Sequence, residues 1–223
     1  MLLTLRKVLS QDDLAELHRI IQAGQAADGR LTAGKAAAQV KKNEEMQFSD
    51  NQRLNINRLL MQRLGANADF RNATFPLRVA DPIIARYIPG MAYGEHIDDP
   101  IMGSGQKFRT DVSMTIFLSE PGTYEGGDLI AETPFGRQTV KLPAGDAVIY
   151  PSGSLHQVGE VTAGERLVAV AWIQSMIRDP QRRQLLYELN LAREKLMVIS
   201  PGNSETRQVD HAYINLVRMW AEL

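Results

Sequence analysis

Four histidines occur in 223 residues, at positions 18, 96, 156 and 211, and one stands in the stretch YIPGMAYGEHIDDP, 87–100, close to two carboxylates. His96 and Asp98 are separated by a single residue, Ile97. In an extended strand that spacing puts both side chains on one face, with their bases about 6.5–7 Å apart. Each can then reach a single cation at ligand distances of about 2 Å. Asp99-Pro100 ends the stretch, because the residue before proline is restricted and proline cannot donate to a ladder. Asp98 is therefore the ligand candidate, and Asp99 a turn or supporting residue. Taken alone, the pair reads as a polar turn with a satisfied imidazole or as half of a metal site.

The other half must come from elsewhere in the chain, and the supply is short. There is no cysteine, so disulfides, thiolate nucleophiles and thiolate ligands are excluded. A metal would be held by histidine and carboxylate, the set suited to iron, manganese or zinc. His18 lies beside the apolar stripe of an N-terminal helix, and His211 within a C-terminal helix, where structural roles are favoured. His156, 58 residues beyond Asp98, is the remaining imidazole in a β-rich region. Two histidines and one carboxylate on one face of a metal, with three positions open, form the facial triad of non-haem Fe(II) oxygenases.

Arg166 follows His156 by ten residues. If Thr162-Ala163-Gly164 is a hairpin loop, Val161 pairs with Glu165, His156 sits opposite Val170, and Arg166 stands on the metal side. Four strand residues, roughly 13 Å, would separate it from the ligand level. That gap suits an extended dicarboxylate, chelating metal at one end and meeting a guanidinium fork at the other. A two-residue loop would turn Arg166 outward, so its placement depends on register. The run RLVAVAWIQ is apolar on both faces, Val168, Val170 and Trp172 lining a pocket and the alternate residues packing under helices. A buried strand does not ordinarily begin with an unpartnered arginine.

The elements that position these residues are legible from periodicity. Ser10 and Asp13 form a capping box ahead of a stripe of Leu14, Leu17, Ile20 and Ile21. A second helix is expected from about Ser49 to Leu64, with Leu54, Leu59, Leu60 and Leu64 facing inward. From Phe75 onward short β-rich runs follow at 83–88, 112–118, 128–132, 137–142, 147–150, 156–161 and 166–173, punctuated by EGGD, PAGD and PSGS. Their number and spacing indicate a sandwich or barrel. Asp179-Pro180 opens a further helix bearing Leu185, Leu186, Leu189 and Leu196, PGN interrupts it, and a last helix follows. The expected organisation is a helical support region at 1–74, a β-core at 75–177 and a helical extension at 178–223.

Smaller features have structural readings. EGGD is a hairpin turn, PAGD a tight turn feeding the strand ahead of His156, and Met91, Met102 and Met114 belong to core and rim. Asp111 is either a strand-edge charge or a pocket residue. The segment IMGSGQKF, 101–108, follows the ligand strand and offers a lid.

Lys plus Arg number 25 and Asp plus Glu 26. This balance supplies no electrostatic reason for a nucleic-acid or anionic-membrane partner. The first residues form too short an apolar run for a signal peptide, and no run of 18 apolar residues exists, so a cytoplasmic location is expected.

Together, His96/Asp98, the distal His156 and Arg166 resemble the Fe(II)- and 2-oxoglutarate-dependent dioxygenases of the prolyl/lysyl-hydroxylase-like branch. GGDL at 126–129, LPAGDAVIYPSGSLHQV at 142–158 and DGRLTAGKAAAQVKKNEEMQ extend the likeness over the whole chain to the bacterial PKHD-type hydroxylases. The resemblance implies a mainly β fold with flanking helices, an α+β arrangement around a double-stranded β-helix (jelly-roll) core. It implies Fe(II) on His96, Asp98 and His156, 2-oxoglutarate on Arg166, and L-ascorbate as a reductant by family association. The implied reaction couples oxidative decarboxylation of 2-oxoglutarate to succinate and CO2 with hydroxylation by O2 of a small-molecule or peptidyl substrate, linked to iron uptake. Tyr87 matches a tyrosine lining the cosubstrate pocket in prolyl hydroxylase relatives, and Phe117 stands where those relatives have another tyrosine. Competing readings are a cupin-type metal enzyme, for which H-x-H is the usual pattern, and a non-catalytic iron or 2-oxoglutarate sensor. The C-terminal helices offer a surface for a homo-oligomer.

Overall fold

The structure is a computed structural model and describes residues 1–223 except Ala33 and Ser104. In chain order the elements are β1 (Leu3–Leu5), α1 (Gln11–Gln22), β2 (Gln25–Asp28), α2 (Ala37–Val40), β3 (Lys41–Lys42), β4 (Glu44–Gln47), α3 (Asp50–Ala66) and α4 (Ala68–Thr74). Then come β5 (Pro76–Val79), β6 (Ile83–Tyr87), β7 (Ala92–His96), β8 (Ile101–Met102), β9 (Phe108–Arg109), β10 (Val112–Phe117), β11 (Tyr124–Gly126) and β12 (Leu129–Thr133). The chain closes with β13 (Gly136–Val140), β14 (Ala147–Pro151), β15 (His156–Val158), β16 (Val161–Gly164), β17 (Arg166–Ser175), α5 (Pro180–Ile199) and α6 (Ser204–Trp220).

Two antiparallel sheets form the core. The larger has the order β1-β14-β10-β17-β6-β4-β2, with β5 also on β17, and the smaller has the order β13-β12-β15-β7-β3. Their facing sides share one apolar cluster, in which Tyr87, Phe117, Val148 and Val168 of the larger sheet meet Leu129, Val140 and Val158 of the smaller. The outer side of the larger sheet is covered by helices. Leu167, Ala169, Ala171 and Ile173 of β17 join Leu14 and Leu17 of α1, Ile56 and Leu60 of α3, and Phe70 of α4. The period-two alternation of a strand is thus used on both faces of β17, as its unbroken apolar run requires. This is the double-stranded β-helix of a jelly roll, buttressed by helices on one side.

Local signals hold where they are chemical. Ser10 and Asp13 make the capping box, and Ser49 with Gln52 makes a second one ahead of α3. Asp179 caps α5, its carboxylate accepting from the amides of Gln181 and Arg182. Inward-facing residues of α3 differ from expectation: Ile56, Leu60 and Leu64 are buried, whereas Leu54 is 65% exposed. An i, i+4, i+8 stripe sits on one face, and Leu54 falls off it. Residues 1–74 also contribute β1 to β4, which extend both sheets. Those strands are two to four residues long, too short to carry a periodic signal.

Candidate active site

His96 ends β7 and His156 begins β15, and the two are direct partners in the antiparallel ladder. Their imidazoles therefore emerge on one face, with ring centroids 4.2 Å apart. Asp98 completes the group: one ligand atom from each of the three residues lies within 4.8 Å of the others. His156 Nε2 is 3.9 Å from Asp98 Oδ2. Each imidazole donates from Nδ1 to a carbonyl two residues earlier, His96 to Gly94 at 2.8 Å and His156 to Ser154 at 3.0 Å. That choice of tautomer leaves both Nε2 lone pairs free, the arrangement metal-ligating histidines require.

Asp98 does not arrive as a pleated i, i+2 partner of His96. The strand stops at His96, and Ile97 is 53% exposed, not packed against the core. The backbone turns out of the sheet ahead of Asp99-Pro100, and a hydroxyl from the opposite sheet fixes Asp98. Ser113 of β10 donates to Asp98 Oδ2, and the Ser152 hydroxyl lies 2.8 Å from Ser113 Oγ. A carboxylate only accepts, so the protons run from Ser152 to Ser113 to Asp98. Asp99 serves the turn, its carbonyl accepting from Thr110 Oγ1.

Burial sets the charge state of His96. His96 is 8% exposed, and desolvation, followed by the neighbouring His156, lowers its pKa to about 4. The imidazole is neutral, as a ligand must be.

Arg166 reaches the same cavity by a route that differs from the expected hairpin. β15 and β17 are not paired: β15 lies between β12 and β7, while β17 lies between β10 and β6. Arg166 is opposite Tyr87, and Val170 is opposite Thr115 and Ile83. The expected strand over 156–161 divides at Gly159-Glu160, and its second part, β16, pairs with β11. Arg166 therefore looks at the histidines across the sandwich. Its alternation with Val168, Val170 and Trp172 puts all four on the cavity wall.

This guanidinium is 1% exposed, and its Nε and Nη1 have no hydrogen-bond partner among the described residues. The nearby Tyr124 hydroxyl is likewise buried and unpartnered. Tyr87 and Phe117 flank the charge with ring centroids 5.0 and 5.6 Å from Cζ. A buried cation with unsatisfied donors costs several kcal/mol unless an anion completes it. The cavity between triad and arginine has a volume of about 140 Å³. Three nitrogen and oxygen ligands at one end and an unsatisfied guanidinium at the other fit Fe(II) and a dicarboxylate.

Several contributors carry only faint sequence signals. Gly126-Gly127 is not a simple hairpin turn: both glycines have left-handed φ, +68° and +66°, and they carry the chain from the separate two-stranded ladder of β11 and β16 into β12 of the smaller core sheet. Ser113 is a buried polar residue, with Thr115, in a strand whose other residues are apolar, a usable signal once its face is known. Asp111 proves structural, accepting from Arg109 and from the Ser175 amide. His18 bonds the Leu118 carbonyl, and His211 pairs with Asn215. The 101–108 segment forms a small ladder between β8 and β9, and Ser104, within the expected lid, lies outside the described residues.

The fold and this pocket define a class, the 2-oxoglutarate and Fe(II)-dependent oxygenases. Residues 82–174 match the model of the 2OG-Fe(II) oxygenase superfamily. A prolyl hydroxylase from Trichoplax adhaerens, solved with a hypoxia inducible factor peptide fragment, superposes with a TM-score of 0.60 at 15% identity, covering 82% of this chain and 86% of that one. A Pseudomonas putida prolyl-4-hydroxylase gives 0.53 at 21% identity, over 78% and 92%. Within the class, a PKHD-type hydroxylase of Thioalkalivibrio sulfidiphilus is 50% identical over 224 residues and one of Delftia acidovorans 41% over 225, each aligned over the full length of both chains. The chain belongs to the PKHD-type hydroxylases.

Proposed function

We propose that His96, Asp98 and His156 hold Fe(II), that Arg166 receives the distal carboxylate of 2-oxoglutarate, and that the enzyme hydroxylates an amino-acid, peptidyl or siderophore-like substrate. The observation that carries this reading is the buried Arg166, whose unsatisfied N–H groups face the cavity that holds the three ligands. When bound, Fe(II) and 2-oxoglutarate supply the oxidation: R–H, O2 and 2-oxoglutarate give R–OH, succinate and CO2, one oxygen atom entering each of the first two products.

The chain's own residues orient and exclude. Nδ1 bonds to Gly94 and Ser154 aim both Nε2 atoms at the metal position, and the Ser113 hydroxyl holds Asp98 there. Arg166 sets the length and direction of the cosubstrate, because a planar fork accepts a carboxylate in one plane. Tyr87 and Phe117 against the guanidinium, with Val158 and Val168 packed beside them, make the Arg166 end of the cavity apolar, which strengthens an ion pair there and limits bulk water. No side chain is required as nucleophile or general base. The test is succinate release from 2-oxoglutarate in air with added Fe(II), for the wild type and His156→Ala. Equal release by both proteins would refute the ligand assignment.

A further inference from the structure

The triad and Arg166 all fall within residues 82–174, the part matched by the superfamily model. The same cavity has polar groups from outside that part. Thr32, Lys41, Asn43 and Glu45 line it, and the chemistry proposed above uses none of them. Lys41 is on β3 of the smaller sheet and Glu45 on β4 of the larger, so their ion pair ties the two sheets beside the metal end. The Nζ–Oε1 distance is 2.6 Å, and the side chains are 9% and 4% exposed.

A buried pair of this kind adds little net stability over packed apolar residues. It also has capacity to spare. An ammonium has three donors. Lys41 directs one to Glu45 Oε1 and one to Thr32 Oγ1 at 3.3 Å. Glu45 Oε1 accepts from both Lys41 and Thr32, while Oε2 accepts no hydrogen bond among the described residues. Among the described residues, one Lys41 N–H and Glu45 Oε2 are thus left without a hydrogen-bond partner, on two neighbouring residues that line the cavity. Lys41 Nζ is 5.2 Å from the Tyr93 ring centroid, and that ring is stacked 3.6 Å from His96, so the cation lies within about 9 Å of the imidazole. That span accommodates a charged head and a short carbon chain reaching toward the triad.

We infer that Lys41 and Glu45 form the head-group site for substrate and that the substrate is a free α-amino acid, its carboxylate on Lys41 and its ammonium on Glu45. The inference rests on the oxygenase reading above and narrows its substrate to a zwitterion. A second cavity of about 450 Å³ shares Thr32, Glu45 and Ile83 with the first and would house the flanks of a peptide, the outcome to be told apart from it.

The experiment is anaerobic calorimetric titration of the full chain, loaded with Fe(II) and 2-oxoglutarate, with the common L-amino acids and with their N-acetyl amides. At least one free amino acid should bind, its capped form about a hundredfold more weakly, and Lys41→Met and Glu45→Gln should each weaken it about tenfold or more. Lys41→Arg, which keeps the charge, should restore most of the affinity. Absence of binding by every free amino acid, equal binding by a capped one, or unchanged affinity in both variants would overturn the inference. So would a loss of melting temperature and 2-oxoglutarate affinity in step with amino-acid affinity, since the pair would then be a structural clasp. Failure of the oxygenase reading is separate: 2-oxoglutarate itself would give no heat, and no succinate would form in air.

Discussion

Gly127 lies against the aliphatic stem of Arg166. A Cβ at this position would stand 2.9 Å from Arg166 Cδ and 2.8 Å from Val161 Cγ2. Its φ of +66° is also one that a side chain strains to adopt. Gly127→Ala should therefore push the guanidinium off its position and cost about 1–2 kcal/mol of fold stability. We expect the KM for 2-oxoglutarate to rise about tenfold, roughly 1.4 kcal/mol of binding, with a fall of a few degrees in Tm. A KM equal to that of the wild type would show that the contact is slack.

Removal of the fork is more severe. Charge-assisted hydrogen bonds contribute about 1.5–3 kcal/mol each, so Arg166→Ala should raise the 2-oxoglutarate requirement on the order of a hundredfold. Arg166→Lys should recover only part of this, because a point charge cannot reproduce the bidentate geometry. Titration of 2-oxoglutarate against succinate release measures both. An unchanged requirement in the alanine variant would sink the cosubstrate assignment.

Of the three proposed ligands, Ser113 hydrogen-bonds Asp98, through a hydroxyl that fixes the carboxylate rotamer. Loss of such an outer contact commonly lowers metal affinity about 10- to 100-fold. Ser113→Ala should do so, while Ser152→Ala, one hydroxyl further out, should do less. Anaerobic Fe(II) titration distinguishes the two, and equal affinities for wild type and Ser113→Ala would count against an orienting role.

Acid should weaken the metal-free fold. The folded pKa of His96, about 4, is below the ordinary value of 6.5, so between these pH values the unfolded chain binds a proton that the folded chain does not. The stabilisation is complete above pH 6.5 and is lost as pH falls toward 4, at no more than about 1.4 kcal/mol per pH unit. Tm of the metal-free protein should drop across that window, and His96→Asn should flatten the dependence. A slope identical in the variant would assign the effect to other groups.

Residue chemistry carried much of this protein in the sequence. With no cysteine and four histidines, the ligand set narrows to His96, Asp98 and His156 almost by exclusion. The apolar run at Leu167–Ile173 announces a strand buried on both faces, and the helix caps at Ser10, Ser49 and Asp179 are written in single residues. What the tertiary structure decided is how these pieces meet. Asp98 is presented by a turn and a hydroxyl from the other sheet, not by strand pleat. Arg166 faces the triad across the sandwich because β17 pairs with β6 and β10, not with β15. The short strands β3 and β4 bring Lys41 and Glu45 to the cavity from a region that reads as helical. The physical reason is common to all three. Periodicity reports which face of an element is buried, but pairing between distant strands is settled by the packing of whole faces, and strands of two to four residues leave no period to read.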